Sequence, residues 1–194
     1  MGEGGGKSRQ EPAEGRSLSV MHAVHDEADS FVPFAHALSL AYRAKGALEI
    51  VDITGNGREH AELGVRDTLQ EWGVLPEGAE RADVAKVGLR VKKVLKKGNR
   101  KKEIGKRLCR NEHDILVLGT GCPRGMRLFG GGLVEYLAQS CRQTTLYIPY
   151  ESKPFIDLKT GRFALSRVLV PVARHPSVRP ALELLQKLLA LDTS

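Results

Sequence analysis

Short apolar runs alternate with longer stretches of helical spacing along most of the chain. Runs of the length of a buried strand lie at 18–24, 47–53, within 86–95, at 114–118 and at 144–149. Between them, apolar residues recur at intervals of three and four, as on the inward face of an amphipathic helix. Strands that alternate with helices imply right-handed crossovers, so the pattern predicts a parallel sheet covered by helices on both faces.

Four helices are predicted between these strands. The first begins after Ser30, whose side chain can cap it, and ends before Gly46. The second covers 59–72 with Leu69 and Trp72 facing inward, the third follows Asn99 with Ile104 and Leu108 facing the core, and the fourth covers 132–141. We expect this arrangement to form one core that is large enough for a single domain.

A segment rich in glycine follows the strand at 114–118. It contains Gly119, Gly121, Gly125, Gly131 and Gly132, and it leads into the fourth predicted helix. Glycine lets backbone N–H groups approach a phosphate, and the first turn of a helix favours an anion through its unpaired donors and its dipole. The segment therefore predicts an anion-binding loop, with an ordinary tight turn between strand and helix as the alternative.

The residues from 119 to 135 resemble the phosphate loop of the universal stress protein family, whose pattern is G-x2-G-x9-G-[ST] after a strand. Gly121 and Gly131 are separated by nine residues, as in that pattern. One residue instead of two separates Gly119 from Gly121, and Gly132 stands where the family has Ser or Thr. The resemblance spans about 17–150 and implies an open five-stranded sheet of order 3-2-1-4-5, the adenine nucleotide alpha hydrolase-like fold.

The resemblance also implies a binding site for ATP or another adenine nucleotide. In a sheet of this order, ligands bind where strands one and four end, because the strand order reverses there. Mg²⁺ is implied only together with ATP. His25 and Asp26 follow strand one, where family members that bind ATP usually have Asp and then Gly. The carboxylates of Asp26, Glu27 and Asp29 are also explained by the start of the first helix, where negative charge is favourable. We assign to this site Gly119, Gly121, Gly125, Gly131, Gly132, His25, Asp26 and, on the adenine side, Val51.

Four segments are predicted along the chain. Residues 1–16 lack an apolar pattern and are predicted to be a disordered tail, and 17–150 form the main domain. Residues 151–166 have few core positions and are predicted to be a linker. The remainder, 167–194, resembles the first strand (167–172) and helix (177–191) of a second universal stress domain. The predicted apolar face of this helix consists of Val178, Ala181, Leu182, Leu185, Leu188 and Leu189.

One strand and one helix cannot bury both faces of the strand. Val168, Leu169 and Val170 therefore need cover from the main domain or from another chain. We predict a homodimer in which this extra βα unit packs across the interface. The alternative is that the unit folds back on its own chain.

Charge is concentrated in one segment. Residues 90–110 contain eleven Lys or Arg and a single acid, Glu103, so the segment contributes +10 while the rest of the chain sums to −3. Nonspecific binding of nucleic acid or another polyanion is one interpretation. A solvated helix face is the other, because the segment has no aromatic residue for base stacking.

Several function classes find no support in the sequence. There is no nucleophile elbow, no ligand-like cysteine spacing and no apolar run of membrane-spanning length. The three cysteines are odd in number, as expected for reduced thiols, and no signal-peptide pattern is present. We predict a cytoplasmic binding or signalling module without a metal site rather than an enzyme, with weak ATP hydrolysis left open.

Overall fold

The computed structural model describes residues 17–24, 31–54, 64–110, 113–120, 136, 144–149, 152–172 and 177–192. Its strands are β1 (Ser19–Val24), β2 (Ala47–Thr54), β3 (Arg90–Lys97), β4 (Ile115–Thr120) and β5 (Thr145–Pro149). Its helices are α1 (Phe31–Arg43), α2 (Val65–Glu71), α3 (Arg81–Lys86), α4 (Arg100–Leu108) and α5 (Arg179–Asp192). The predicted alternation of strands and helices is confirmed over the described part of the main domain.

The five strands form one parallel sheet in the order β3-β2-β1-β4-β5. This is the predicted order. After β1 the chain moves to β2 and β3 on one side, and it then crosses back to β4 and β5 on the other side. The strand order therefore reverses between β1 and β4, which are paired from Val20 with Ile115 to His22 with Val117.

Each face of the sheet has its own apolar core. On one face, Phe34 and Leu38 of α1 pack with Val20 of β1 and with Leu69 of α2, all 0% exposed. On the opposite face, the predicted inward residues of α4, Ile104 and Leu108, pack against strand residues that include Met21, Val51 and Leu118. Burial on both faces explains why β1, β2 and β4 are nearly continuous apolar runs.

Residues 152–166 do not form the predicted linker. They fold into a tight hairpin that packs on the α1 face of the domain, with Ile156 bridged to Phe163 and only 2% exposed. The indole Nε1 of Trp72 donates to the carbonyl of Leu158 at 2.9 Å. We call residues 155–164 the hairpin. A few apolar residues are enough to hold the hairpin in place, because they pack on a core that the sheet and α1 already form.

The predicted strand at 167–172 is wrong. The segment is irregular and pairs with no described strand, and Leu169 and Val172 are 93% and 77% exposed. An apolar run becomes a strand only where a sheet edge accepts it, and Pro171 also lacks the N–H that pairing requires. The helix of the predicted unit is present as α5.

Helix α5 packs on its own chain through a face that shares Leu188 with the predicted one but is otherwise shifted around the helix. Leu184, Leu188 and Leu191 lie against the core on the α1 side. Leu182 and Leu189, which were predicted to face inward, are 43% and 47% exposed. The inward face depends on the direction from which α5 approaches α1, and a leucine-rich helix offers more than one such face.

Candidate functional site

The predicted nucleotide site lies at the edge of the sheet where β1 and β4 end. Because the two strands are parallel neighbours, both carboxyl ends reach this edge, which we call the carboxyl edge. The first turn of α1 lies beside it: a Cβ on Gly119 would be 2.9 Å from Cγ of Pro33. The fold thus brings the end of β4 against the beginning of α1, as the switch-point argument requires.

Gly119 has a packing reason to be glycine. A methyl group at this position would overlap Pro33, and a contact under 3.0 Å forces one of the two to move. The absence of a side chain at Gly119 therefore lets α1 approach β4 closely. This close approach alone explains the residue, whether or not a phosphate binds beside it.

Val51 is in the interior of the protein. It is 0% exposed, pairs with Ala23 across β1 and β2, and packs with Met21 in the core under α4. Its side chain therefore contacts the core and not a surface cleft. The remaining residues assigned to the site lie outside the described part of the chain: His25, Asp26, Gly121, Gly125, Gly131 and Gly132.

An ionic network occupies the opposite edge, where the strands begin, which we call the amino edge. The carboxylate of Glu49, 5% exposed on β2, accepts from Arg107 Nη1 at 2.7 Å and lies 3.1 Å from Lys92 Nζ. Its second oxygen is 2.7 Å from Nε2 of His113. The network thus connects β2, β3 and α4 with His113, which precedes β4.

A hydroxyl extends this network. Ser19 Oγ is 3.1 Å from Nδ1 of His113, so a serine, a histidine and a glutamate lie next to one another in space. Hydrolases use hydrogen-bonded residues of these types to activate serine. Here Glu49 shares its charge with Arg107 and Lys92, and the side chains of His113 and Glu49 are only 6% and 5% exposed. The network therefore links β1, β2, β3 and α4 at the amino edge.

The basic segment 90–110 forms the outer strand β3 and helix α4. Its lysines are partly engaged by acids: Glu103 pairs with Lys96 and Lys106, and hydrogen bonding to Lys96 lowers the pKa of the Glu103 carboxyl. β3 is mostly exposed and stands at the end of the strand order. Lysines on an edge strand discourage pairing with other chains, which accounts for their concentration there.

A cavity that the sequence did not predict lies between the ends of α1 and α2 and the hairpin. Its volume is about 680 Å³, and its lining residues are Tyr42, Arg43, Lys45, Trp72, Gly73, Val74, Val87, Thr160, Arg162 and Phe163. We call it the hairpin cavity. These residues come from four separate parts of the chain, 42–45, 72–74, 87 and 160–163, so no local sequence motif indicates the cavity.

The described ranges contain neither a metal-binding cluster nor a membrane-spanning helix. No three residues among their His, Cys, Asp and Glu are grouped closely enough to hold a metal ion. No helix formed by these residues has the length and apolar content needed to cross a membrane.

Comparison with known proteins adds fold similarities. No protein-family model and no curated protein matches the chain. Solved structures that resemble it include the universal stress protein UspA from Lactobacillus plantarum, which is 19% identical with a TM-score of 0.47. That alignment covers 69% of this chain and 98% of the other.

Two similar structures contain a bound nucleotide. One is a universal stress protein in complex with cAMP, 16% identical over 70% of this chain and 99% of its own, with a TM-score of 0.44. Another is a universal stress family protein from Arabidopsis thaliana with AMP bound, 14% identical over 70% of this chain and 93% of its own, with a TM-score of 0.41. At these values the similarities carry no argument about ligands. The fold follows from the strand order of the chain itself.

Proposed function

We propose that this chain is a universal stress protein-like module of the cytoplasm that binds an adenine nucleotide at the carboxyl edge. The observation that supports it most is the reversal of strand order between β1 and β4, with the first turn of α1 against the end of β4 at Gly119. In open parallel sheets this is the place where ligands bind. The glycine-rich sequence that follows β4 supplies the expected phosphate loop.

The chemistry of the described residues is compatible with an anion at this edge. The first turn of α1 contains no acidic residue, so its positive dipole end is not neutralised within the helix. Gly121, Gly125, Gly131 and Gly132 would donate backbone N–H groups to the phosphates of ATP, and Mg²⁺ would accompany the triphosphate. His25 and Asp26 would lie beside them after β1. Binding, and not turnover, is the proposed activity.

Calorimetric titration with ATP and with AMP tests this proposal. We expect saturable binding by the full chain, and a loss of at least about tenfold in affinity for Gly131→Asn, because a side chain there would obstruct the backbone donors. Gly78→Asn is the control, since Gly78 lies in an exposed turn with open space around it. Absence of binding, or equal affinity in both variants, would refute a nucleotide site in this loop.

The proposal includes a homodimer formed through the C-terminal segment. Within the described residues, five exposed large apolar side chains belong to this segment: Val168, Leu169, Val172, Leu182 and Leu189. Exposed apolar side chains of this size favour association with another apolar surface, and a second copy offers the same residues. Size-exclusion chromatography with light scattering should give a dimer, and Leu169→Ser with Val172→Ser should give a monomer. A wild-type monomer at micromolar concentration would exclude the dimer.

A further inference from the structure

The hairpin cavity has a rigid aromatic wall. Trp72 Nε1 donates to Leu158 O at 2.9 Å, and the backbone of Gly161 packs against the ring so closely that a Cβ there would be 2.3 Å from Cε3. The hydrogen bond to Leu158 therefore fixes the edge of the indole, and Gly161 covers part of one face. Tyr42 and Phe163 add two further rings to the lining.

Three cations surround this aromatic wall. They are Arg43, Lys45 and Arg162, and none of the ten described residues that line the cavity is acidic. The Arg43 guanidinium is held in place, because Nε donates to Gly161 O at 3.2 Å and its central carbon lies 5.4 Å from the centroid of the Phe163 ring. The cavity thus combines planar apolar surface with positive charge.

Helix ends explain only part of this charge. α1 and α2 both end at the cavity, and cations near a helix C-terminus are favourable without any ligand. Each helix end corresponds to about half a negative charge, whereas the lining contributes three full positive charges. Arg162 in addition comes from the hairpin and not from a helix. The lining of the cavity therefore has an excess of positive charge.

Lys45 occupies a position where glycine is the usual residue. Gly46 N–H donates to Ala41 O and Lys45 N–H to Tyr42 O, both at 2.9 Å, which is the Schellman pattern that ends many helices. Lys45 has a φ of 47° in this pattern. This left-handed backbone conformation is unfavourable for residues other than glycine and, to a lesser degree, asparagine and aspartate. Helix termination alone would favour glycine here, so the lysine side chain has another use.

From these features we infer that the hairpin cavity binds a small anion that carries a planar ring, such as an aryl phosphate. A volume of about 680 Å³ suits a small molecule. The ring would pack against the aromatic lining, and Arg43, Lys45 and Arg162 would bind the charged group through charge-assisted hydrogen bonds. The cavity lies at the amino edge, so this site is separate from the nucleotide site proposed at the carboxyl edge.

The fluorescence of Trp72, the only tryptophan of the chain, reports binding directly. Phenyl phosphate added to the full chain should change this fluorescence saturably, and the affinity should fall as salt is raised. Inorganic phosphate has the charge without the ring, and benzyl alcohol has the ring without the charge. Each should bind at least about tenfold more weakly than phenyl phosphate.

Two substitutions test the cations. Lys45→Gly and Arg162→Gln should each weaken the binding of phenyl phosphate by about fivefold or more. Lys45→Gly relieves the left-handed backbone, so its melting temperature should stay the same or rise, and loss of binding cannot then be caused by unfolding. Lys93→Gln on β3 removes the same charge from an exposed strand position and should leave the affinity unchanged.

Three results would overturn the inference: no fluorescence response to phenyl phosphate, an equal response to benzyl alcohol, or unchanged affinity in both Lys45→Gly and Arg162→Gln. The outcome does not depend on the nucleotide site. Gly131→Asn should leave phenyl phosphate binding intact, and Lys45→Gly should leave ATP binding at the carboxyl edge intact.

Discussion

Arg107 on α4 and Glu49 on β2 are joined across the amino edge, with Arg107 Nη1 2.7 Å from Glu49 Oε1. The carboxylate is 5% exposed and the arginine side chain 24% exposed, so the pair is largely withdrawn from water. Lys92 and His113 approach the same carboxylate. The carboxylate of Glu49 therefore balances the positive charges of Lys92, near the beginning of β3, and Arg107, near the end of α4.

Replacement of this acid should destabilise the fold. Glu49→Gln keeps the size of the side chain but leaves Arg107 without its anion, and we expect the free energy of unfolding to fall by about 3 kcal/mol. Urea denaturation measures this loss. Glu183→Gln is the matched control, because its pair with Arg179 is exposed and should change stability by less than about 0.5 kcal/mol. Equal effects of the two substitutions would contradict a structural role for Glu49.

The buried histidine of β1 should make stability depend on pH. His22 is 1% exposed, and burial lowers its pKa from 6.5 to about 4, although the hydrogen bond to the carbonyl of Val117 raises it. As the pH is lowered, the His22 imidazole is protonated near pH 6.5 in the unfolded chain but only near pH 4 in the folded protein. The stability that the neutral His22 contributes is therefore fully present above pH 6.5 and is lost as the pH falls toward 4. It amounts to roughly 3 kcal/mol.

Urea midpoints measured at several pH values between these limits test the contribution of His22. The wild-type midpoint should fall steadily as the pH is lowered, and His22→Leu should flatten the profile because leucine does not titrate. Burial also lowers the pKa of His36, so a smaller slope in the same direction should remain in the variant. Identical profiles for the two proteins would show that His22 does not govern the acid response.

The turn of the hairpin should tolerate no side chain beneath Trp72. Gly161 has a φ of 64°, and a Cβ would lie 2.3 Å from the indole. Gly78 has a φ of 79° with nothing within 4 Å, so it is a control with the same backbone conformation and no contact. Gly78→Ala should cost about 1 kcal/mol from backbone strain alone, and Gly161→Ala at least about 2 kcal/mol more through overpacking.

Thermal unfolding followed by Trp72 fluorescence distinguishes the two glycine variants. Gly161→Ala should also shift the emission of the native protein, because the hairpin would separate from the indole, whereas Gly78→Ala should retain the wild-type spectrum. The packing interpretation fails if the two variants are equally stable.

The contact between Gly119 and Pro33 can be isolated with a double-mutant cycle. Gly119→Ala should lower the free energy of unfolding by about 1–2 kcal/mol, because its methyl group would overlap the proline ring. In the background of Pro33→Ala, which removes Cγ, the same substitution should cost about 1 kcal/mol less. Denaturant unfolding of the four proteins gives the coupling energy, and strictly additive losses would show that the two residues do not interact.

The sheet could be predicted because its strands are buried on both faces. Such strands appear in sequence as short apolar runs, and the helices between them have a different period, so Val20 and Ile104 were placed correctly inside. The bounds differ by a few residues. α3 was not predicted, since six residues are too short for helical periodicity to show; its start is fixed by the reciprocal bonds of Glu80 and Asp83.

The C-terminal quarter could not be predicted because its structure depends on contacts between distant residues. Whether the apolar run at 167–172 becomes a strand is decided by pairing with a sheet edge, and the run pairs with neither edge strand, β3 or β5. The hairpin is attached through Trp72, Ser39 and Arg43, which bind its carbonyls from two separate helices. The hairpin cavity exists only once that attachment is made, so its cations have no common motif.

The lysine row on β3 has a consequence for self-association. A foreign strand that tried to extend the sheet beyond β3 would have to lie along a line of ammonium groups, and a second copy of β3 would meet the same charges. Fibril-like growth from this side is therefore electrostatically opposed. The homodimer proposed above would accordingly use the exposed apolar side chains of the C-terminal segment and not the β3 edge.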